Sequence, residues 1–88
     1  ARRVPVRMIP DLEVRAITID TGWPGATPQD VEQEILIEQE RYLRTLPNLR
    51  WMVSSASTGR ARITLEFPFG VDLNEALVRT NNALSQVP

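Results

Sequence analysis

From Glu13 to Thr21 the chain reads EVRAITIDT, a run rich in β-branched residues. Ile17, Ile19 and Thr21 fall on one face while Thr18 and Asp20 take the other, which predicts a half-buried strand. The next ten residues, GWPGATPQDV, change register and character. Pro24-Gly25 is a turn dipeptide. Thr27 then stands where an N-cap belongs, with Pro28 at the first helical position and Asp30 placed to complete a capping box. Val31, Ile35, Tyr42 and Leu46, with Leu43 beside them, recur at helical spacing, so a helix is predicted over residues 28–46, ended by Pro47-Asn48. A second strand follows in which Leu49, Trp51, Val53 and Ser55 alternate with Arg50, Met52 and Ser54, and this spacing predicts Trp51 on the core side. Ser57-Thr58-Gly59 is a hairpin connection. Beyond it Ala61, Ile63, Leu65 and Phe67 face one way, and Arg60, Arg62, Thr64 and Glu66 the other, the clearest strand in the chain. Pro68 and Gly70 close it. Asp72 with Glu75 forms a second cap, and Leu73, Ala76, Leu77 and Leu84 mark the apolar stripe of a second helix.

These elements make an α+β chain of order β-α-β-β-α over residues 13–88, preceded by an extended lead-in over residues 1–12 that carries Pro5 and Pro10. The order matches the split βαβ, ferredoxin-like two-layer sandwich with its final strand missing. In that fold the first strand lies inside the sheet. Without the last strand its outer edge is open, and an open edge pairs with whatever reaches it. The expectation is therefore twofold: association of the isolated chain through the 13–21 edge, or cover of that edge by residues 1–12.

Composition narrows the chemistry. Eighty-eight residues form one domain at most, and the formal charge of −1 shows none of the basic excess of a nucleic-acid binder. There is no Cys and no His, which removes disulfides, thiolate metal sites and the commonest general base. No catalytic, cofactor or metal residues are assigned, and the chain is not expected to be an enzyme. No apolar run approaches the roughly 20 residues that span a bilayer. The acidic helix positions Glu32, Glu34, Glu38 and Glu40 read as a solvated face with Arg41 and Arg44 as partners. Trp51 reads as core packing, and Trp23, in the turn before the first helix, as a ligand or interface contact. The second helix is less ordinary. Its non-core face carries Asn74, Val78, Asn82 and Ser85, with Asn81 close by, where a solvated helix would carry charge. An interface and an amphipathic helix whose polar side happens to lack charge both fit that pattern.

The residues also resemble a known family. WPGATPQDVE is similar to the YPGA-x-x-x-x-VE signature that opens the first periplasmic helix of RND efflux transporters. Val53, Ser55, Ser57, Gly59, Ile63, Leu65, Phe67, Gly70, Asp72 and Ala76 follow its V-x-S-x-S-x-G…I-x-L-x-F-x-x-G-x-D-x-x-x-A pattern, and Pro10 matches the Pro before its first strand. Thr45, where the family usually has Gly, and Val71, within a run often read as Gly-Thr-Asp, depart from it. The resemblance implies the first porter subdomain (PN1) of a proton-driven pump for hydrophobic compounds, in the periplasmic portion of a bacterial inner-membrane protein. Its missing strand would come from later in the same polypeptide. It implies that Asn74, Val78, Asn81, Asn82 and Ser85 line a central pore between three protomers. Partners would be the other porter subdomains, two further protomers, a periplasmic adaptor and an outer-membrane channel. A stand-alone ferredoxin-like interaction or small-ligand module is the alternative.

Overall fold

A computed structural model describes residues 4–88. Residues 1–3 of the lead-in lie outside the described residues. Most of the described part of residues 4–12 is a strand of the sheet rather than a lead-in to it. Strand β1 (Val6–Asp11) is followed by β2 (Ala16–Gly22), and a two-residue hairpin joins β3 (Trp51–Ser57) to β4 (Arg60–Glu66). The four strands form one antiparallel sheet of order β1-β2-β4-β3. Of the two expectations for the inner strand, the second holds: β1 pairs along all of β2 but its last residue, from Val6 opposite Thr21 to Asp11 opposite Ala16. The edge of residues 13–21 is thereby closed, and pairing of two chains through it is corrected to pairing within one. The β1–β2 turn is fixed by Asp11 Oδ1, which accepts from the amides of Glu13 and Val14.

The first helix begins as read, with Thr27 Oγ1 accepting from the Asp30 amide at 3.1 Å. It is not uniform. A single α-turn, α1 (Pro28–Val31), runs into a π-helical turn over Glu32–Leu36 and then into α2 (Ile37–Leu43). In the π turn the Ile37 amide reaches back five residues to the Glu32 carbonyl. The buried positions explain its use. Val31, Ile35, Gln39 and Leu43 repeat every fourth residue, and in a pure α-helix each such step drifts about 40° around the axis. The wider turn takes up part of that drift and keeps the row on the sheet. The helix ends earlier than residue 46: Arg44 is its C-cap, Thr45 Oγ1 donates to the Tyr42 carbonyl at 2.7 Å, and Asn48 takes a positive φ of 62°. Tyr42, expected in the stripe, is only half-buried, and Leu36 and Gln39 take core places.

The helices lie on one side of the sheet. Ile17 and Ile19 of β2 and Ala61, Ile63 and Leu65 of β4 are fully buried beneath Val31, Ile35, Leu36, Leu43, Leu73 and Ala76. Each of the Val, Ile and Leu side chains among them contributes about 1.5–3 kcal/mol through burial. One polar pair sits inside: Gln39 Nε2 donates to Thr21 Oγ1 at 3.1 Å. Strand β3 corrects the sequence reading. Trp51 is 52% exposed and Val53 is also outside, whereas Met52 and Ala56 pack on the core. The reason is the hairpin. Ser57 stands opposite Arg60, so Met52 is carried opposite Leu65 and Trp51 opposite Glu66, and residues opposite each other share a face.

Candidate functional site

Helix α3 (Leu73–Leu84) carries the predicted site. Its start is built from two directions. Asp72 accepts from the Asn74 amide at 2.9 Å. The preceding loop is held by Arg15, whose guanidinium donates to the carbonyls of Pro68 and Val71 and lies 5.6 Å from the Phe69 ring. Arg15 itself adopts φ of 55° in the β1–β2 turn, and its carbonyl accepts from the Phe67 amide. The turn between the first two strands therefore sets where α3 begins.

The inward face of α3 is Leu73, Ala76 and Thr80, all buried, with Leu77 and Leu84 half-buried beside them. Thr80 was absent from the predicted stripe because its hydroxyl looks polar. It is satisfied within the helix by donating to the Ala76 carbonyl at 2.7 Å. The outward face holds Asn74, Val78, Asn81, Asn82 and Ser85, and all five are exposed. At 100° per residue they occupy an arc of about 100°. Val78 is 60% exposed at its centre. The Glu75–Arg79 pair, 4.0 Å apart, flanks the arc and keeps its charges off it. Ser85 Oγ donates to the Asn82 carbonyl at 2.6 Å and closes the helix end. No charged side chain interrupts this strip. It is a surface of amides, a hydroxyl and one valine, able to pack against a like surface without desolvating an ion.

Other predicted positions fall elsewhere. Trp23 is half-buried against the core, its amide donating to the Gly59 carbonyl at 2.8 Å, and it stands apart from the α3 strip. The acidic helix positions are partly paired: Glu38 with Arg41 at 3.4 Å and Glu40 with Arg44 at 3.7 Å. Glu40 also accepts from Ser54 Oγ at 2.5 Å, tying the helix to β3. Among the described residues no cluster of three or more acidic side chains could hold a metal ion, and no helix is long and apolar enough to cross a membrane. A groove of about 790 Å³ opens between β1, the first helix and the end of α3. Asn81 and Ser85 line it together with Glu38 and Gln39 of the first helix, a grouping that spacing within one helix could not reveal.

The sequence model of the AcrB/AcrD/AcrF family matches the chain over residues 1–88. The chain belongs to that family. Among its relatives is the multidrug resistance protein MdtC of Enterobacter sp. (strain 638), 36% identical over 75 residues, 85% of this chain and 7% of that protein. MdtC of Klebsiella pneumoniae (strain 342) is 35% identical over the same share of each. MdtC of Salmonella newport (strain SL254) gives the same values. The chain thus spans about 7% of the length of the curated relatives it matches. Within the AcrB/AcrD/AcrF family the RND resemblance of the WPGA turn, the Ser57-Thr58-Gly59 hairpin and the α3 cap acquires structural meaning. All three are turn or cap residues that set strand register and helix starts.

Proposed function

We propose that the chain is the first periplasmic porter subdomain (PN1) of a proton-driven RND efflux transporter, a piece that supplies scaffold and an assembly surface rather than the chemistry of transport. The observation that carries this reading is the uncharged, exposed strip of α3, centred on Val78, on a domain whose whole length matches the family. In this reading the strips of three protomers meet around a central pore. Asn74, Val78, Asn81, Asn82 and Ser85 are the contacting residues. The chain performs no catalysis and holds no cofactor. Proton coupling and the membrane spans belong to the rest of the polypeptide, and the adaptor and outer-membrane channel engage the assembled pump. The sheet order supports a ferredoxin-like description, since β1 holds the place beside β2 that the fourth strand takes in that fold.

The test is to place Cys at Val78 in the full-length protein, in a background without other accessible thiols, and oxidise it in membranes. Disulfide-linked protomers are expected, with Glu75→Cys on the flank linking several-fold less. Equal linkage at both positions, or none at Val78, would overturn the pore-facing assignment.

A further inference from the structure

The face of the sheet that carries no helix has an organised surface of its own. The strand register places Arg7, Asp20, Arg62 and Ser55 in one row across β1, β2, β4 and β3, with Arg60 in the next. Three guanidiniums converge on one carboxylate: Arg60 at 3.5 Å, Arg7 at 3.6 Å and Arg62 at 3.9 Å. Asp20 is buried under them, at 7% exposure, while each arginine side chain is half or more exposed. Three cations around one anion leave a local excess of two positive charges. One carboxylate cannot saturate three guanidiniums, which carry five N–H donors each. The adjoining row is apolar or neutral: Ile9, Thr18, Thr64 and Val53, with Trp51 beyond. Ile9, Val53 and Trp51 are all substantially exposed. The far end differs in kind, with Asp11 used in the β1–β2 turn and Glu66 half-buried.

Arginine and tryptophan around an aliphatic patch are the side chains that interfaces favour, and lysine is the one they avoid. This chain has ten basic residues and every one is Arg. The chain as a whole is slightly acidic, so the positive cluster is a local arrangement rather than an overflow of basic composition.

We infer that the helix-free sheet face is a docking surface for an acidic, apolar-centred surface of the same longer polypeptide. Its carboxylates meet Arg7, Arg60 and Arg62 while its apolar side chains cover Val53, Ile9 and Trp51. The commitment to the same polypeptide rests on the porter reading and on the length of its relatives, of which this chain spans about 7%. The strip on α3 is a separate surface on the opposite layer, so either can fail without the other.

Two measurements test it. The first is hydroxyl-radical footprinting of Trp51 in the 88-residue chain and in the full-length protein. Oxidation is expected to fall several-fold in the full-length protein; equal oxidation would overturn the proposal. The second uses the absence of lysine from these 88 residues, so that cross-links mapped to positions 7 and 62 arise only from the introduced amines. Arg7→Lys and Arg62→Lys, made separately in the full-length protein, keep the charge and install an amine that carbodiimide couples directly to a carboxylate at salt-bridge distance. Coupling to an Asp or Glu elsewhere in the same polypeptide is the expected product. Coupling to Asp20 alone, to a second copy of the protein or to a different protein would each overturn the assignment. Loss of cross-linking between Val78→Cys protomers would leave these outcomes unmoved, which separates this proposal from the pore reading.

Discussion

At the scale of single residues, Asp20 decides more than its exposure suggests. It sits in a row where a strand facing solvent would carry Thr or Ser, and it is the common partner of Arg7, Arg60 and Arg62. Remove its charge and the three guanidiniums face one another with nothing between them. The loss should exceed the 0–1 kcal/mol of an exposed pair, because the carboxylate is buried. It should stay below the 3–5 kcal/mol of a fully buried pair, because the arginines keep water. Asp20→Asn is therefore expected to lower stability by about 1–3 kcal/mol in urea unfolding at low salt. High salt screens repulsion between half-exposed cations, so the deficit should shrink as ionic strength rises. An Asn variant as stable as the parent at low salt would show that the cluster is ornamental. The interior pair obeys a different rule. Gln39 and Thr21 satisfy one hydrogen bond of each other inside the core, which fixes the helix over β2 but leaves the Gln39 carbonyl oxygen without a partner.

At the scale of elements, the π turn in the first helix gives the sharpest expectation. Glu32–Leu36 holds one residue more than an α-turn would. Deleting the exposed Gln33 should let that turn close as α-helix with both flanks still in phase. Deleting Arg41 instead turns Leu43, in the last helical turn, about 100° away from the sheet and shifts the exit that places Leu46. Each buried Leu withdrawn costs about 2–5 kcal/mol. Circular dichroism and thermal melts should show the Gln33 deletion folded with a modest loss and the Arg41 deletion largely unfolded; matched losses would mean the π turn does not govern phase. Much of this level was legible beforehand. The Thr27 and Asp72 caps, the β4 alternation and the α3 outer face stand where patterning put them, since each is a local preference that the fold did not override. Strand β3 was misphased because both of its faces are about equally apolar, with Trp51 and Val53 against Met52 and Ala56. The deciding signal lay outside the strand. A two-residue turn at Thr58-Gly59 sets Ser57 against Arg60, and counting back along that ladder turns Trp51 outward. The π turn had no such signal, because a four-residue repeat of buried positions reads as ordinary helix.

For the molecule as a whole, β1 is the element whose role has most to do with what is around it. Patterning left residues 1–12 as a lead-in because Pro5, Pro10 and weak alternation give no strand signature, and only β2's unpaired edge supplied a reason for them to pair. That reason is energetic rather than local. An open β2 would leave a row of unpaired amides and carbonyls beside a buried core, and exposed edges recruit other strands. β1 is poorly suited to recruit in its turn, since Pro10 has no N–H to donate to a further strand. A chain shortened to residues 12–88 should therefore behave differently from the parent. It retains Ile17, Ile19, Ile63 and Leu65, so it should still collapse around the helices. Its bare β2 edge, however, should drive concentration-dependent association. Sedimentation velocity across a dilution series is the measurement, with the parent chain as reference. A 12–88 chain that stays monomeric and as stable as the parent would mean that β1 shields nothing. If it associates, adding a synthetic peptide of residues 4–12 should reverse the association by restoring the fourth strand in trans, because pairing in the register of Val6 with Thr21 requires only the edge that truncation exposed.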